Sequence, residues 1–186
     1  MTPGMQARSL VAALVTALAL TLALIWPAGR ASAAPSAAAV VVTYDTSRAA
    51  EFVDAVHSGA DVWNESVTGV RLEPAAPGED ANVEIIADNG WPRALTTSLG
   101  NGIVWMGRQA VNEGYDTTRI AAHELGHILG LPDMKPGPCS SLMSGSTGGV
   151  SCTNPYPNAA ERAAVEDNFA TALAGAAAHG SGLHRD

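Results

Sequence analysis

One five-residue stretch, His123-Glu124-Leu125-Gly126-His127, restricts the folds open to this chain more than any other feature of its 186 residues. Two histidines four apart lie one above the other on a helix, so both imidazoles can reach one ion. Ala121, Leu125, Ile128 and Leu129 fall on the opposite side, so the helix carries one face for a core and one for a cleft. Glu124 projects toward the same cleft, where it can hold a water beside a metal. Gly130 lets the chain leave the helix through the left-handed backbone region, and the turn can bring Asp133 back as a third, oxygen ligand. Three protein ligands leave a fourth position open, the pattern of catalytic rather than structural zinc. The competing explanation, a solvent-facing helix with two ordinary histidines, does not account for the apolar face behind them.

With Gly130 and Asp133 included, the segment resembles the extended zinc signature of the metzincin metalloproteases, with Asp in place of the usual third His. That substitution resembles the snapalysin family of small secreted bacterial neutral proteases. The resemblance extends to Tyr115-Asp116-Thr117-Thr118-Arg119, Gly137-Pro138-Cys139, Ser141-Leu142-Met143-Ser144-Gly145 and the run from Ser151 to Asn158. It covers the chain from Val40 to the last helix and is weaker in the first half. It implies a zincin-like single domain of α/β (α+β) class, with His123, His127 and Asp133 on zinc and Glu124 as general base. Met143 would occupy the tight methionine turn beneath the metal, a packing role. Asp116 and Thr118 align with a pair that resembles a calcium site, although Asp116 is also a good helix N-cap, and two oxygens are few for that ion. Members of the family carry Tyr two residues beyond the Asp ligand. Here Lys135 stands there, either as a donor to a developing negative charge or as a solvated surface lysine. The resemblance also implies an aromatic residue just after the cut bond.

The first 33 residues read as a secretion signal: Arg8, an apolar run from Leu10 to Trp26, and Ala31-Ser32-Ala33 as cleavage site. An uncleaved anchor is the alternative, since the run approaches spanning length. Removal would take Arg8 and Arg30 away, leaving 153 residues with 8 basic and 18 acidic side chains. That length suits one domain, and that acidity argues against nucleic-acid or anionic-membrane partners. Two cysteines in an exported chain suggest a disulfide, and Cys139 and Cys152 enclose the short loop that contains Met143. Closing it would contribute about 3 kcal/mol in the chain-entropy account. Residues 34–39 form a flexible lead-in too short for a folded pro-domain, so latency would need another device or a separate inhibitor.

Further along, Val40–Tyr44 reads as a buried strand and Ser47 as N-cap of a helix to about Ser66, with Phe52, Val56, Gly59 and Trp63 on one stripe. Val70–Glu73 and Ala81–Asp88 read as strands, the latter broken by Asn89-Gly90-Trp91-Pro92. Gly102–Met106 is expected at the sheet edge above the cleft, where an extended substrate adds as an antiparallel strand. Asp116–Leu129 is the metal-site helix. Asn158, with Glu161 three residues on, opens a last helix with Val165, Phe169 and Leu173 inward, and the catalytic domain is placed at 40–175 with a frayed tail at 176–186. His57, His179 and His184 read as exposed. Tyr156 either lines the cleft or packs on the last helix. These readings combine into a secreted zinc endopeptidase, monomeric by default, that acts on protein or peptide substrates. A non-catalytic zinc module and a zinc hydrolase of a non-peptide amide are the alternatives.

Overall fold

A computed structural model of the chain describes residues 38–180, with side chains described to residue 174. The expected leader at 1–33 and His184 lie outside the described residues. Among the described residues no helix is long and apolar enough to cross a membrane.

The chain opens with strand β1 (Val40–Arg48), in which Val42 and Tyr44 are buried while Val41 between them is half exposed, so the strand alternates rather than being buried throughout. Ser47 does not cap the first helix. Its backbone N–H and hydroxyl both donate to Asp45, a local turn that competes with capping. A short 3₁₀ turn at Ala50–Phe52 then leads into α1 (Val53–Ser66), whose stripe of Phe52, Val56, Gly59 and Trp63 is buried as its spacing predicts. Strands β2 (Val70–Pro74), β3 (Val83–Asp88), β4 (Arg93–Ser98) and β5 (Asn101–Gly107) complete a five-stranded mixed sheet in the order β2-β1-β3-β5-β4. All neighbours are parallel except β4 and β5.

Strand β4 corrects the sequence reading. The cleft-side edge of the sheet is β4, and β5 lies inside, paired on both flanks. Arg93-Ala94-Leu95-Thr96-Thr97-Ser98 has no apolar alternation, because an edge strand facing solvent has little to bury. The Leu99-Gly100 turn, with Gly100 at φ 76°, reverses the chain from β4 into β5.

After β5 come a short helix α2 (Arg108–Asn112) and the motif-bearing helix α3 (Thr117–Ile128). Ala121, Leu125, Ile128 and Leu129 are buried, as the apolar face of α3 requires. Helix α3 packs against α1 through Trp63, whose indole N–H donates to the Ala122 carbonyl at 2.8 Å. Gly126 makes room beneath it, since a Cβ there would lie 2.9 Å from Met143 Sδ and 3.1 Å from Trp63. The last helix α4 (Ala159–Gly180) buries Val165 and Phe169, while Leu173 is only partly buried. The helix continues past residue 175 through an Ala-rich run that favours it, so part of the expected tail is helical. His179 falls in its last turn, where side chains are not described.

His57 departs from its expected exposure. It is half-buried, and its Nδ1 shares a hydrogen bond with the Tyr44 hydroxyl at 2.7 Å, a partner that lies across the fold and outside any helical spacing. Burial, with Asp61 nearby, pushes the Tyr44 hydroxyl up to about 12, so it stays a donor.

Candidate metal centre

The helix that carries the motif starts at Asp116, whose side chain accepts from the Arg119 backbone N–H at 2.8 Å and so serves as N-cap. It ends at Gly130, held at φ 90° in the left-handed region, and the chain turns back over the helix. The turn delivers Asp133 to the histidines: Asp133 Oδ1 lies 3.3 Å from His123 Nε2 and 3.6 Å from His127 Nε2. The two Nε2 atoms are 3.2 Å apart.

Protonation makes this cluster informative. His123 Nδ1 faces the Leu142 carbonyl at 3.0 Å, and His127 Nδ1 faces the Leu131 carbonyl at 2.8 Å. A carbonyl only accepts, so each Nδ1 carries the proton and donates it. Burial pushes the His123 imidazole well below its usual range, which keeps that ring neutral. With each Nδ1 hydrogen committed to a carbonyl, the two Nε2 atoms turn toward each other and toward Asp133 Oδ1. Two imidazole nitrogens and one carboxylate oxygen converging in this way form a donor set that a cation can fill. Ligands about 2.0–2.1 Å from a tetrahedral zinc stand about 3.3–3.4 Å apart, close to the three separations here, so the donor set fits zinc.

Glu124 lies against the cluster, its carboxylate within 4.8 Å of both imidazoles. It is buried, and its Oε2 has no hydrogen-bond partner, an exception that a working group or a ligand explains. Burial pushes its carboxyl up to about 8, with Lys135 and Arg93 drawing it down and Asp133 raising it. For Asp133, burial raises the carboxyl, but the hydrogen bond and charge of Lys135, together with the imidazoles, outweigh it and hold the group low. Lys135 Nζ sits 3.0 Å from Asp133 Oδ1 and lines the cleft, so this lysine is neither remote nor freely solvated.

The floor of the site is the loop between the cysteines. Cys139 and Cys152 form the expected disulfide, with Cα atoms 5.5 Å apart. Met143 is buried under α3 beside Gly126. Two residues hold this loop in place, Arg119, to which the sequence assigns no role, and Glu161, expected only as a cap. Arg119, buried in α3, donates to the carbonyls of Asn154 and Ser141 (2.7 Å to the latter) and to Ser144 Oγ. Glu161 forms the anticipated capping box with Asn158, but its carboxylate also accepts from Ser141 Oγ at 2.6 Å, Leu142 N at 3.1 Å and Met143 N at 2.9 Å. Burial alone would raise this carboxyl, yet those donors together lower it. Charged residues at buried helix positions were the available signal, and their partners lie far off in sequence.

A cleft of about 770 Å³ opens in front of the cluster, lined by β4, by Trp91 just before that strand, by Tyr115 just before α3 and by Ile120 on α3. Trp91 and Tyr115 meet edge to face with centroids 5.7 Å apart. The Thr96 hydroxyl donates to the His127 carbonyl at 2.9 Å, which fixes the edge strand beside the histidines. Tyr156 lies away from the cleft lining: it is half exposed, and its hydroxyl donates to Glu65 on α1. Asp116 and Thr118 are half-buried, with Asp116 engaged as a cap. His123, Glu124 and His127 bring one ligand atom each within 4.8 Å of one another, and Asp133 Oδ1 joins the two imidazoles at 3.3 and 3.6 Å.

Residues 39–172 match the Streptomyces extracellular neutral proteinase (M7) family. The chain is 44% identical over 147 residues to the extracellular small neutral protease of Streptomyces sp. (strain C5), and 43% identical over 141 residues to that of Streptomyces lividans. These alignments cover 79% and 76% of this chain but 64% and 62% of those relatives, so the chain spans just under two thirds of their length. The protein of the same name from Streptomyces caespitosus is 47% identical over 126 residues, 68% of this chain and 94% of the relative.

Proposed function

The chain belongs to the Streptomyces extracellular neutral proteinase (M7) family, and on that premise we propose that it is a secreted zinc endopeptidase acting on protein or peptide substrates. The observation that carries the reading is the convergence of two imidazole Nε2 atoms and one carboxylate oxygen at 3.2–3.6 Å, beside a buried carboxylate oxygen without a partner. His123, His127 and Asp133 would hold the ion. Zinc held there would supply Lewis-acid polarisation of the scissile carbonyl and acidify a water. With the positive charge of an ion beside it favouring the carboxylate, Glu124 would take the proton of the attacking water at its free Oε2 and deliver it to the leaving amine. The carbonyls of Leu142 and Leu131 keep the two imidazoles in the tautomer that leaves Nε2 bare.

Strand β4 offers an exposed antiparallel edge along which an extended peptide can pair, which favours a peptide over a small amide in a closed pocket. The aromatic wall of Trp91 and Tyr115 supports a preference for an aromatic side chain after the cut bond. The relatives' names as extracellular proteases support export. Calcium at Asp116 and Thr118 rests on family likeness alone, and capping explains Asp116 without it. A separate protein inhibitor and a monomeric state likewise stay as proposals.

Casein digestion with and without a chelator, compared with Glu124→Ala, tests the reading. Chelation should abolish cleavage, and zinc should restore it. Glu124→Ala should bind zinc and lose about 10²–10⁴-fold in rate. Undigested casein with zinc bound would remove the protease assignment, and an active Glu124→Ala would remove the mechanism.

A further inference from the structure

Asp133 brings a negative charge into a donor set whose other two members are neutral, and the oxygen that faces both imidazoles is the one Lys135 holds. Nζ is 3.0 Å from Oδ1, closer than either Nε2 at 3.3 and 3.6 Å. The lysine has a built seat. Gly145 lies at φ 52°, and a Cβ there would stand 2.7 Å from Lys135 Cε, 3.2 Å from Nζ and 3.2 Å from His123 Cε1. The bare Cα of Gly145 therefore lets the lysine stem lie against the loop next to the first histidine, with its head on the third ligand. The side chain is 36% exposed, well short of a freely solvated lysine.

From this arrangement we infer that Lys135 is the resident counter-ion of the metal site: it competes for Asp133 Oδ1 and lowers the affinity for the divalent ion. The inference rests on the metal-site reading above. Any cation between the two imidazoles and Oδ1 shares that oxygen with an ammonium, and like charges at such range repel even in a partly solvated setting. The ammonium also cancels the charge that Asp133 adds. A zinc held by two imidazoles and this carboxylate, with the ammonium beside it, would therefore sit in the same net charge as one held by three imidazoles. The exchange keeps the ion electrophilic despite an anionic ligand, at the expense of binding strength.

Competition with a fluorescent chelator gives the zinc dissociation constant of the metal-stripped full chain, without reference to activity. Wild type should take up one equivalent, and His123→Ala should lose it. Lys135→Met should bind about tenfold tighter than wild type, and Lys135→Arg should stay within about twofold of it. Equal affinity in Lys135→Met would make the lysine a bystander and overturn the inference. Weaker affinity would overturn it too, because it would make Lys135 a support that orients Asp133. Absence of zinc uptake by wild type would instead sink the metal-site reading itself. Lys135 is the sole lysine of the sequence, so ¹³C-lysine labelling of the wild-type chain gives one side-chain resonance. One equivalent of zinc should shift that resonance, and an unmoved signal refutes the competition even if the Met variant fails to fold.

Discussion

Glu161→Gln is the sharpest probe of how the site is held. In the wild type, Oε1 accepts from Ser141 Oγ and Met143 N, and Oε2 accepts from Leu142 N and Asn158 N. Glutamine puts an NH₂ in place of one of these oxygens. At the Oε2 position it would face two backbone N–H groups. At the Oε1 position the Ser141 hydroxyl can turn and accept, but Met143 N still faces a donor. Every orientation therefore leaves at least one buried backbone donor opposed and removes the charge that strengthens the other bonds. One such group costs about 1–3 kcal/mol, and the loss of charge assistance places this case near the upper end. For a domain of this size that corresponds to a fall in Tm of about 10 °C. The folded carboxyl is held below its ordinary value, so its stabilisation is fully present above the unfolded pKa of about 4.3 and disappears as pH falls through the lower folded value. Differential scanning calorimetry of wild type and variant from pH 7 to pH 3 should show a gap that is widest at neutral pH and narrows in acid. A gap under about 2 °C at pH 7, or one that persists undiminished at pH 3, would refute the four-donor account.

Two further substitutions probe neighbouring features. Replacing Cys139 and Cys152 together by serine opens the loop that carries Met143, and chemical denaturation should show about 3 kcal/mol less stability; an unchanged denaturation midpoint would mean that Arg119 and Glu161 hold the loop alone. Gly130→Ala places a Cβ in the left-handed region and 2.6 Å from Asn168 Nδ2, at a cost of at least about 1–2 kcal/mol. Because that turn delivers Asp133, chelator competition should show weaker zinc binding alongside the lower Tm, and loss of stability without loss of affinity would separate the turn from the third ligand.

Where the sequence was readable, the interactions were local. The imidazole pair, the amphipathic face and the glycine exit to Asp133 sit within a few turns of α3, and the Asn158–Glu161 capping box sits in the first turn of α4, so spacing encodes them directly. The buried stripe of α1 was readable for the same reason. The edge strand β4 was not, since its polar, threonine-rich run buries little and its partner is defined only by the sheet. The hold of Arg119 and Glu161 on the loop between the cysteines is not encoded in local spacing, because their partners lie 18 to 35 residues away. Tyr44 and His57 are thirteen apart and meet only once α1 has docked on the sheet. Lys135 was seen, but its grip on Asp133 depends on the path of the Gly145 loop.

Each imidazole is oriented by a main-chain oxygen, that of Leu142 for His123 and that of Leu131 for His127. No point substitution deletes a carbonyl, so changing the side chain at 131 or 142 leaves the acceptor in place. The vulnerability is transferred from residue identity to chain length. Between 127 and 142, an insertion or deletion that slips either carbonyl out of line would free a ring to flip, whereas many replacements along the same stretch would pass unnoticed at the histidines.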